Sequence, residues 1–139
     1  MTTIDTRAEE YLRQLSARRI RPEEGECLVC FVNRMLNAFG CDNTLRFARA
    51  WRDERAPRAT SLEERLADRG GFCDCEILYN AYWPAGHLWS VEQWNDLADG
   101  GQEYTEGAPP ETMPSCELSR KGSTKPCGLW EGVRRGANW

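Results

Sequence analysis

The sequence predicts a mainly α-helical protein, a small bundle of four to five short helices stapled by a cysteine-ligated metal ion, with an irregular C-terminal extension. Two observations favour this fold class. Apolar residues recur at helical spacing in several segments, and seven cysteines occur in a chain of 139 residues whose hydrophobic fraction is only 40%. Because a core this small often needs a metal ion or disulfides for stability, the cysteines are central to the prediction.

The first two helices have the clearest local signals. The first is predicted to begin at the capping-box pattern Thr6-Arg7-Ala8-Glu9 and to run to about residue 19. The second is predicted from Cys27 to Phe39, where apolar residues occupy positions i, i+3, i+4 and i+7 of one face. Gly40 then provides a stop at its C-terminus.

Three further helices are predicted before residue 83. One begins near the capping residues 41–44 and runs to about residue 54, and the next extends from Thr60 to the breaker pair Gly70-Gly71. A fifth helix follows Asp74, which can cap it, and ends before Pro84. A strand is the alternative for this last segment, because its short apolar run fits both structures.

The composition changes towards the C-terminus. Ser90 to Leu97 resembles a capping box followed by a short helix, and from Asp99 onward Gly, Pro, Glu, Ser and Thr dominate. We therefore predict a helical metal-binding domain in residues 1–98 and an irregular, acidic, Trp- and Cys-containing extension in residues 99–139. The cysteines and tryptophans of the extension indicate that it packs against the domain.

Charge and apolar patterning limit the classes of function. With 18 basic and 22 acidic residues, the net charge of -4 disfavours broad binding to a phosphate backbone. No apolar run is long enough to span a bilayer, so no membrane association is expected. The first six residues lack the pattern of a signal peptide, which predicts a cytoplasmic protein whose thiols stay reduced.

Two closely spaced cysteine pairs predict the metal site. Cys27 and Cys30 have the Cys-x-x-Cys spacing, and Cys73 and Cys75 follow the double glycine. Both pairs lie at predicted helix N-termini, where free N–H groups and the helix dipole stabilise thiolates. We therefore predict that these four cysteines bind one zinc ion, with Cys41 as a substitute for one of them.

Several alternatives for the thiols stay open. The same residue types hold iron–sulfur clusters, and buried free thiols or thiol-redox chemistry need no metal at all. The residues left over, Cys41, His87, Cys116 and Cys127, provide four potential ligands for a second site. A disulfide between Cys116 and Cys127 is the alternative to that second site.

Several of these motifs resemble a family of small, uncharacterised bacterial proteins known only as a domain of unknown function. The resemblance covers about residues 25–83 and implies a common fold, but it implies no activity, substrate or catalytic residue. The matching residues are Cys27-Leu28-Val29-Cys30, Arg34-Met35, Phe39-Gly40-Cys41-Asp42, Leu45-Arg46, Arg58-Ala59-Thr60 and Gly70-Gly71-Phe72-Cys73-Asp74-Cys75-Glu76.

The residues favour a non-catalytic function. No set of residues resembles a hydrolase or transferase site, so we expect an interaction or regulatory module with a protein partner, for which exposed tryptophans are suitable anchors. The first alternative is nucleic-acid binding through Arg46, Arg49, Arg52 and Arg55, which recur on one helix. The second is a thiol-based sensor or enzyme with Cys41 as the reactive thiol.

Overall fold

A computed structural model of the protein describes residues 7–11 and 20–133. Residues 7–11 are helical and form α1. The rest of the predicted first helix, residues 12–19, lies outside the described residues.

The next four helices lie where the sequence predicts them. They are α2 (Leu28–Phe39), α3 (Arg46–Arg55), α4 (Leu62–Asp68) and α5 (Asp74–Glu76), and α5 continues as a π-helical turn over Ile77–Ala81. Gly40 ends α2 as predicted, because its positive φ of 75° suits a residue without a Cβ. Within the described ranges, no helix has the length and apolar character needed to cross a membrane.

Two small antiparallel sheets make the fold not purely helical. Strand β1 (Tyr82–Pro84) pairs with β4 (Trp130–Gly132), and β2 (Gln93–Asp96) pairs with β3 (Gln102–Thr105). A 3-10 turn at Gly86–Leu88 follows β1. The C-terminal part of the chain is thus joined to the helical part through the β1–β4 ladder.

The short helix predicted from Ser90 to Leu97 is wrong, because this segment contains β2. The turn that follows explains the difference. Gly100 has a φ of 89°, which lets the chain reverse, and the backbone N–H of Leu97 bonds to the carbonyl oxygen of Gly101 at 2.8 Å. Because a partner strand is available, a hairpin forms in place of a local helix.

The main core lies between α2, α3, α4 and the π-helical turn. The Trp51 side chain is completely buried in it, and its Nε1 donates a hydrogen bond of 2.9 Å to the carbonyl oxygen of Glu26. The buried residues of this core are Leu28, Phe31, Val32, Met35, Leu45, Phe47, Ala48, Trp51, Ala56, Leu62, Leu66, Ile77 and Ala81.

A second buried cluster lies at the N-terminal end of α2. There the segment around β4 packs against the helix, so residues more than eighty positions apart in sequence are in contact. Its buried members are Cys27, Val29, Cys30, Cys127, Leu129 and Trp130. The division of the chain into domains at residue 98 stays a prediction.

Candidate metal centres

Four cysteine sulfurs converge at the second buried cluster. The Sγ atoms of Cys27, Cys30, Cys116 and Cys127 all lie within 4.8 Å of one another, and the Sγ atoms of Cys30 and Cys127 are 3.7 Å apart. Four thiolates at zinc–sulfur distances of about 2.3 Å define a tetrahedron with edges of about 3.8 Å. The group therefore has the size of a site for one tetrahedral ion.

The backbone orients these sulfurs through N–H donors. Cys27 is the N-cap residue of α2, and its Sγ accepts a hydrogen bond of 3.4 Å from the backbone N–H of Cys30. The Sγ of Cys116 accepts bonds of 3.3 Å from the N–H groups of Cys27 and Leu118. Leu118 has a φ of 74°, a left-handed conformation that turns its N–H back towards the sulfur.

The surroundings of the group make the four thiols unequal. A hydrogen bond with the Cys30 thiol, helped by backbone N–H groups, lowers the pKa of Cys27 to about 5 against the effect of burial. The same contact and burial raise the pKa of Cys30, although Trp130 Nε1 donates to its sulfur at 3.2 Å. Burial also raises the pKa of Cys127. Without metal, Cys27 is thus the first of these three to ionise.

A second group of thiols lies near the N-terminus of α3. The Sγ atoms of Cys41, Cys73 and Cys75 are within 4.8 Å of one another, and those of Cys73 and Cys75 are 3.2 Å apart. Cys41 Sγ accepts a hydrogen bond of 3.3 Å from the backbone N–H of Asn43, which has a φ of 68°. The thiol of Cys73 is buried, whereas the other two are half-buried.

Asp74 holds this second group together. The sequence predicts that Asp74 caps its own helix, and this is wrong, because Cys73 is the N-cap residue of α5. The two carboxylate oxygens of Asp74 instead accept hydrogen bonds of 3.0 Å from the N–H groups of Phe47 and Ala48 in the first turn of α3. Its own N–H donates to the carbonyl oxygen of Thr44 at 3.0 Å, so the Cys73–Cys75 segment is fixed beside the loop that carries Cys41.

The second group also contains one thiol that ionises more readily than the others. Burial raises the pKa of Cys41, but hydrogen bonds from the backbone of Cys75 and Asn43 and from both neighbouring thiols outweigh it, so the pKa is lowered. Burial and the contact with the Cys75 thiol raise the pKa of Cys73 to about 12. A hydrogen bond with the Cys73 thiol lowers the pKa of Cys75. Burial and the contact with Cys41 have the larger combined effect, so the pKa of Cys75 is raised.

The arrangement differs from the one ion that the sequence predicts. Cys27 and Cys30 lie in one group, whereas Cys73 and Cys75 lie in the other. The physical reason is that the first pair begins α2 on the face that receives the C-terminal segment. The second pair is fixed by Asp74 to the start of α3. Cys41, which the sequence suggests as a substitute for one of the four ligands, lies with Cys73 and Cys75.

The four residues suggested for a second site do not lie together. Cys116 and Cys127 join the pair at α2, and Cys41 joins the other group, so these three do not form a separate site. His87 is exposed on the 3-10 turn and belongs to neither group. All seven cysteines are free, so the alternative disulfide between Cys116 and Cys127 is not present.

The four arginines of α3 are each engaged with other parts of the protein. Arg46 forms an ion pair with Asp42 at 3.5 Å, and Arg55 donates to the carbonyl oxygen of Ser119 at 3.1 Å. Arg49 and Arg52 both approach Glu63, with shortest distances of 3.8 and 3.0 Å. Much of the cationic character of this face is therefore offset within the molecule.

Comparison with known proteins confirms the resemblance to an uncharacterised family. A family model described as "Protein of unknown function (DUF2695)" matches residues 28–80. The matched segment includes α2 to α5 and the second thiol group, but only one cysteine of the first group. Cys27, Cys116 and Cys127 lie outside it.

Individual relatives cover a similar part of the chain. The uncharacterized protein Mb2294 of Mycobacterium bovis and the uncharacterized protein Rv2271 of Mycobacterium tuberculosis are each 36% identical to this chain over 61 residues, which is 44% of the chain. The match spans 62% of the length of these curated relatives. No solved structure matches the chain.

Proposed function

We propose that this protein is a zinc-stabilised interaction module in which Cys27, Cys30, Cys116 and Cys127 bind one structural zinc ion. The observation that carries the proposal is the convergence of four sulfurs within 4.8 Å of one another, at the contact between α2 and the segment before β4. An ion bound there cross-links two distant parts of the chain. It adds stability to a protein with a small apolar core.

A single ion fits this group better than an iron–sulfur cluster does. A cluster places several iron and sulfide atoms between the thiolates, so its cysteine sulfurs lie farther apart than those around one ion. Zinc suits four thiolates in tetrahedral geometry and has no redox chemistry of its own. Zinc also gives no visible absorption, which distinguishes it from an iron–sulfur cluster.

The β2–β3 hairpin is the surface we assign to a protein partner. Trp94 on β2 is 67% exposed, and its ring centroid lies 5.0 Å from that of Tyr104, its cross-strand neighbour on β3. Val91 beside the hairpin is 75% exposed. Exposed aromatic side chains that are already ordered against each other lose little entropy on binding, which favours a role as interface anchors.

The alternatives have weaker support. Nucleic-acid binding through the arginines of α3 would require them to leave their partners, including the 3.0 Å ion pair between Arg52 and Glu63. A metal ion bound by Cys41 and the two neighbouring sulfurs would leave no free thiol at Cys41 to react. We therefore retain the interaction module as the proposed function.

The metal is tested by elemental analysis and visible spectroscopy of protein purified under reducing conditions, with Cys116→Ser as the variant. We expect colourless zinc-containing protein, the loss of one zinc ion per chain in Cys116→Ser, and a melting temperature lower by about 10 °C or more. Ser115→Ala is the matched control, because it changes an exposed side chain beside Cys116 and removes no thiol. Unchanged metal content and melting temperature in Cys116→Ser would contradict the proposal.

The interaction surface is tested with Trp94→Ala. We expect this variant to retain its zinc. Its melting temperature should fall by no more than about 4 °C, because a cross-strand aromatic pair contributes only about 0.2 to 1 kcal/mol to stability. Recovery of a protein partner should fall at least tenfold, and should be insensitive to salt. Trp83→Ala is the control for an exposed tryptophan away from the hairpin. Equal recovery with wild type and Trp94→Ala argues against the hairpin as the binding surface.

A further inference from the structure

The three-thiol group has the same local design as the four-thiol group. In each group one cysteine is the N-cap residue of a helix, Cys27 in α2 and Cys73 in α5. In each group another cysteine accepts an N–H bond of 3.3 Å from the residue two positions later, which has a positive φ. Cys41 therefore corresponds to Cys116. This repeated geometry orients sulfurs towards a common point in both places.

Glu76 provides a fourth donor beside the three thiols. Its Oε1 lies 3.3 Å from the Sγ of Cys73, a separation that two ligands of one tetrahedral ion would have. Its Oε2 accepts a bond of 3.4 Å from Asn80 Nδ2, which also donates to the carbonyl oxygen of Gly70 at 2.9 Å. Carboxylates that bind metals are commonly held in this way by a second hydrogen bond.

A rotation of the Glu76 side chain is needed for its carboxylate to act as the fourth ligand. The oxygens of Glu76 are not within 4.8 Å of all three sulfurs, so the carboxylate must turn further towards Cys41 and Cys75 to close the site. Glu76 is half-buried on α5, and its long side chain has the freedom to make this turn.

The rigidity of the site is the strongest sign that the thiols are positioned for binding. Asp74 is completely buried, and both its carboxylate and its backbone N–H form hydrogen bonds with residues that follow Cys41. Burying a carboxylate is costly unless it is fully hydrogen-bonded. Here the Asp74 carboxylate holds the segment with Cys73 and Cys75 beside the loop that carries Cys41.

We propose that Cys41, Cys73 and Cys75 bind a second thiophilic divalent cation of the zinc class, with the Glu76 carboxylate as fourth ligand and Asn80 as its positioning residue. The site is independent of the zinc ion at α2. A carboxylate binds zinc through oxygen and is more readily displaced than a thiolate. The three-thiol group is also less buried than the four-thiol group. This second ion is therefore the one that exchanges faster.

The experiment is a zinc titration of reduced, metal-free protein with a chromogenic chelator as competitor. Wild type should bind two zinc ions per chain with different affinities, and Cys41→Ser should bind only the tighter one. Glu76→Gln should weaken the second ion at least tenfold while leaving the first unchanged, and Asn80→Ala should weaken it by about tenfold. Glu64→Gln is the matched control, because it changes an exposed glutamate on α4.

The outcomes separate this proposal from the first one. If Cys41→Ser and Cys41→Ala both fold, by their melting curves, and still bind two ions, the second site is refuted. If wild type binds a single ion that only Cys116→Ser removes, the second site is refuted while the proposed function stands. If Cys41→Ser removes an ion but Cys116→Ser does not, the second site stands and the first fails. Equal affinities in wild type and Glu76→Gln would refute the role of Glu76.

Discussion

At the residue scale, Asp74 joins the Cys73–Cys75 segment to the start of α3. A carboxylate between two cysteines looks like the cap of the helix that it begins, yet it caps α3, a helix twenty-eight positions earlier in the chain. The N-cap residue of α3, Leu45, has no side chain that can accept a hydrogen bond. A carboxylate from a distant segment therefore supplies what the local sequence lacks.

We predict that Asp74→Asn destabilises the protein by about 1 to 3 kcal/mol, because an amide replaces a charged acceptor of two buried N–H bonds. Equilibrium denaturation in urea measures this change. The exposed control Asp53→Asn should change the free energy of unfolding by less than about 0.5 kcal/mol. An Asp74→Asn variant as stable as this control would show that the two hydrogen bonds contribute little.

At the element scale, α2 is the central helix because it contributes to both buried clusters. One face supplies four residues of the main core, and the first turn supplies two thiols and Val29. The loop before the helix is joined to it by Glu26, which is 5% exposed and forms a two-bond ion pair with Arg34 at 2.8 and 2.9 Å. This pair fixes the direction from which the chain enters the helix.

We predict that Arg34→Ala lowers the free energy of unfolding by about 2 to 4 kcal/mol, because it leaves the buried Glu26 carboxylate without its partner. Thermal or urea denaturation measures this loss. Arg49→Ala is a suitable control, since the ion pair between Arg49 and Glu63 is exposed and worth less than about 1 kcal/mol. Similar losses in both variants would mean that burial of Glu26 is unimportant.

The elements differ in how well the sequence predicts them. The helix from residue 28 to 39 was predictable because its apolar periodicity and its terminal Gly40 are local signals. The β2–β3 hairpin was not, because Ser90-Val91-Glu92-Gln93 also fits a capping box and the strand partner lies beyond the turn. The Asp99-Gly100-Gly101 turn was the signal that would have favoured a hairpin.

At the scale of the whole molecule, the two thiol groups have different roles in holding the chain together. The three-thiol group joins neighbouring loops within the helical part, whereas the four-thiol group joins α2 to the segment before β4. Sequence spacing predicted which cysteines form close pairs, but it contains no information on which distant cysteines meet. The clue was the presence of Cys116, Cys127 and Trp130 in an otherwise polar extension.

We predict that metal removal releases the C-terminal segment before the helical part unfolds. In zinc-loaded protein, limited trypsin digestion should cut slowly after Arg120 and Lys121, which lie between Cys116 and Cys127. Chelator treatment should accelerate these cuts at least tenfold, because the anchored backbone becomes accessible. Mass spectrometry of the fragments measures the rates.

The matched control for this digestion is Cys41→Ser, which leaves the four-thiol group intact. Its cleavage rates after Arg120 and Lys121 should equal those of the wild type under both conditions. Equal cleavage of loaded and chelated wild type would show that the ion does not anchor the segment.

The four-thiol group also affects biosynthesis. Cys30 and Cys127 are separated by 97 positions, so a chain emerging from the ribosome exposes its first two ligands long before its last. A product interrupted before residue 127 lacks one donor and cannot complete the coordination sphere. Under the proposed function, the ion can therefore bind with four thiolates only after synthesis has passed Cys127, and chains that end earlier would lack this cross-link.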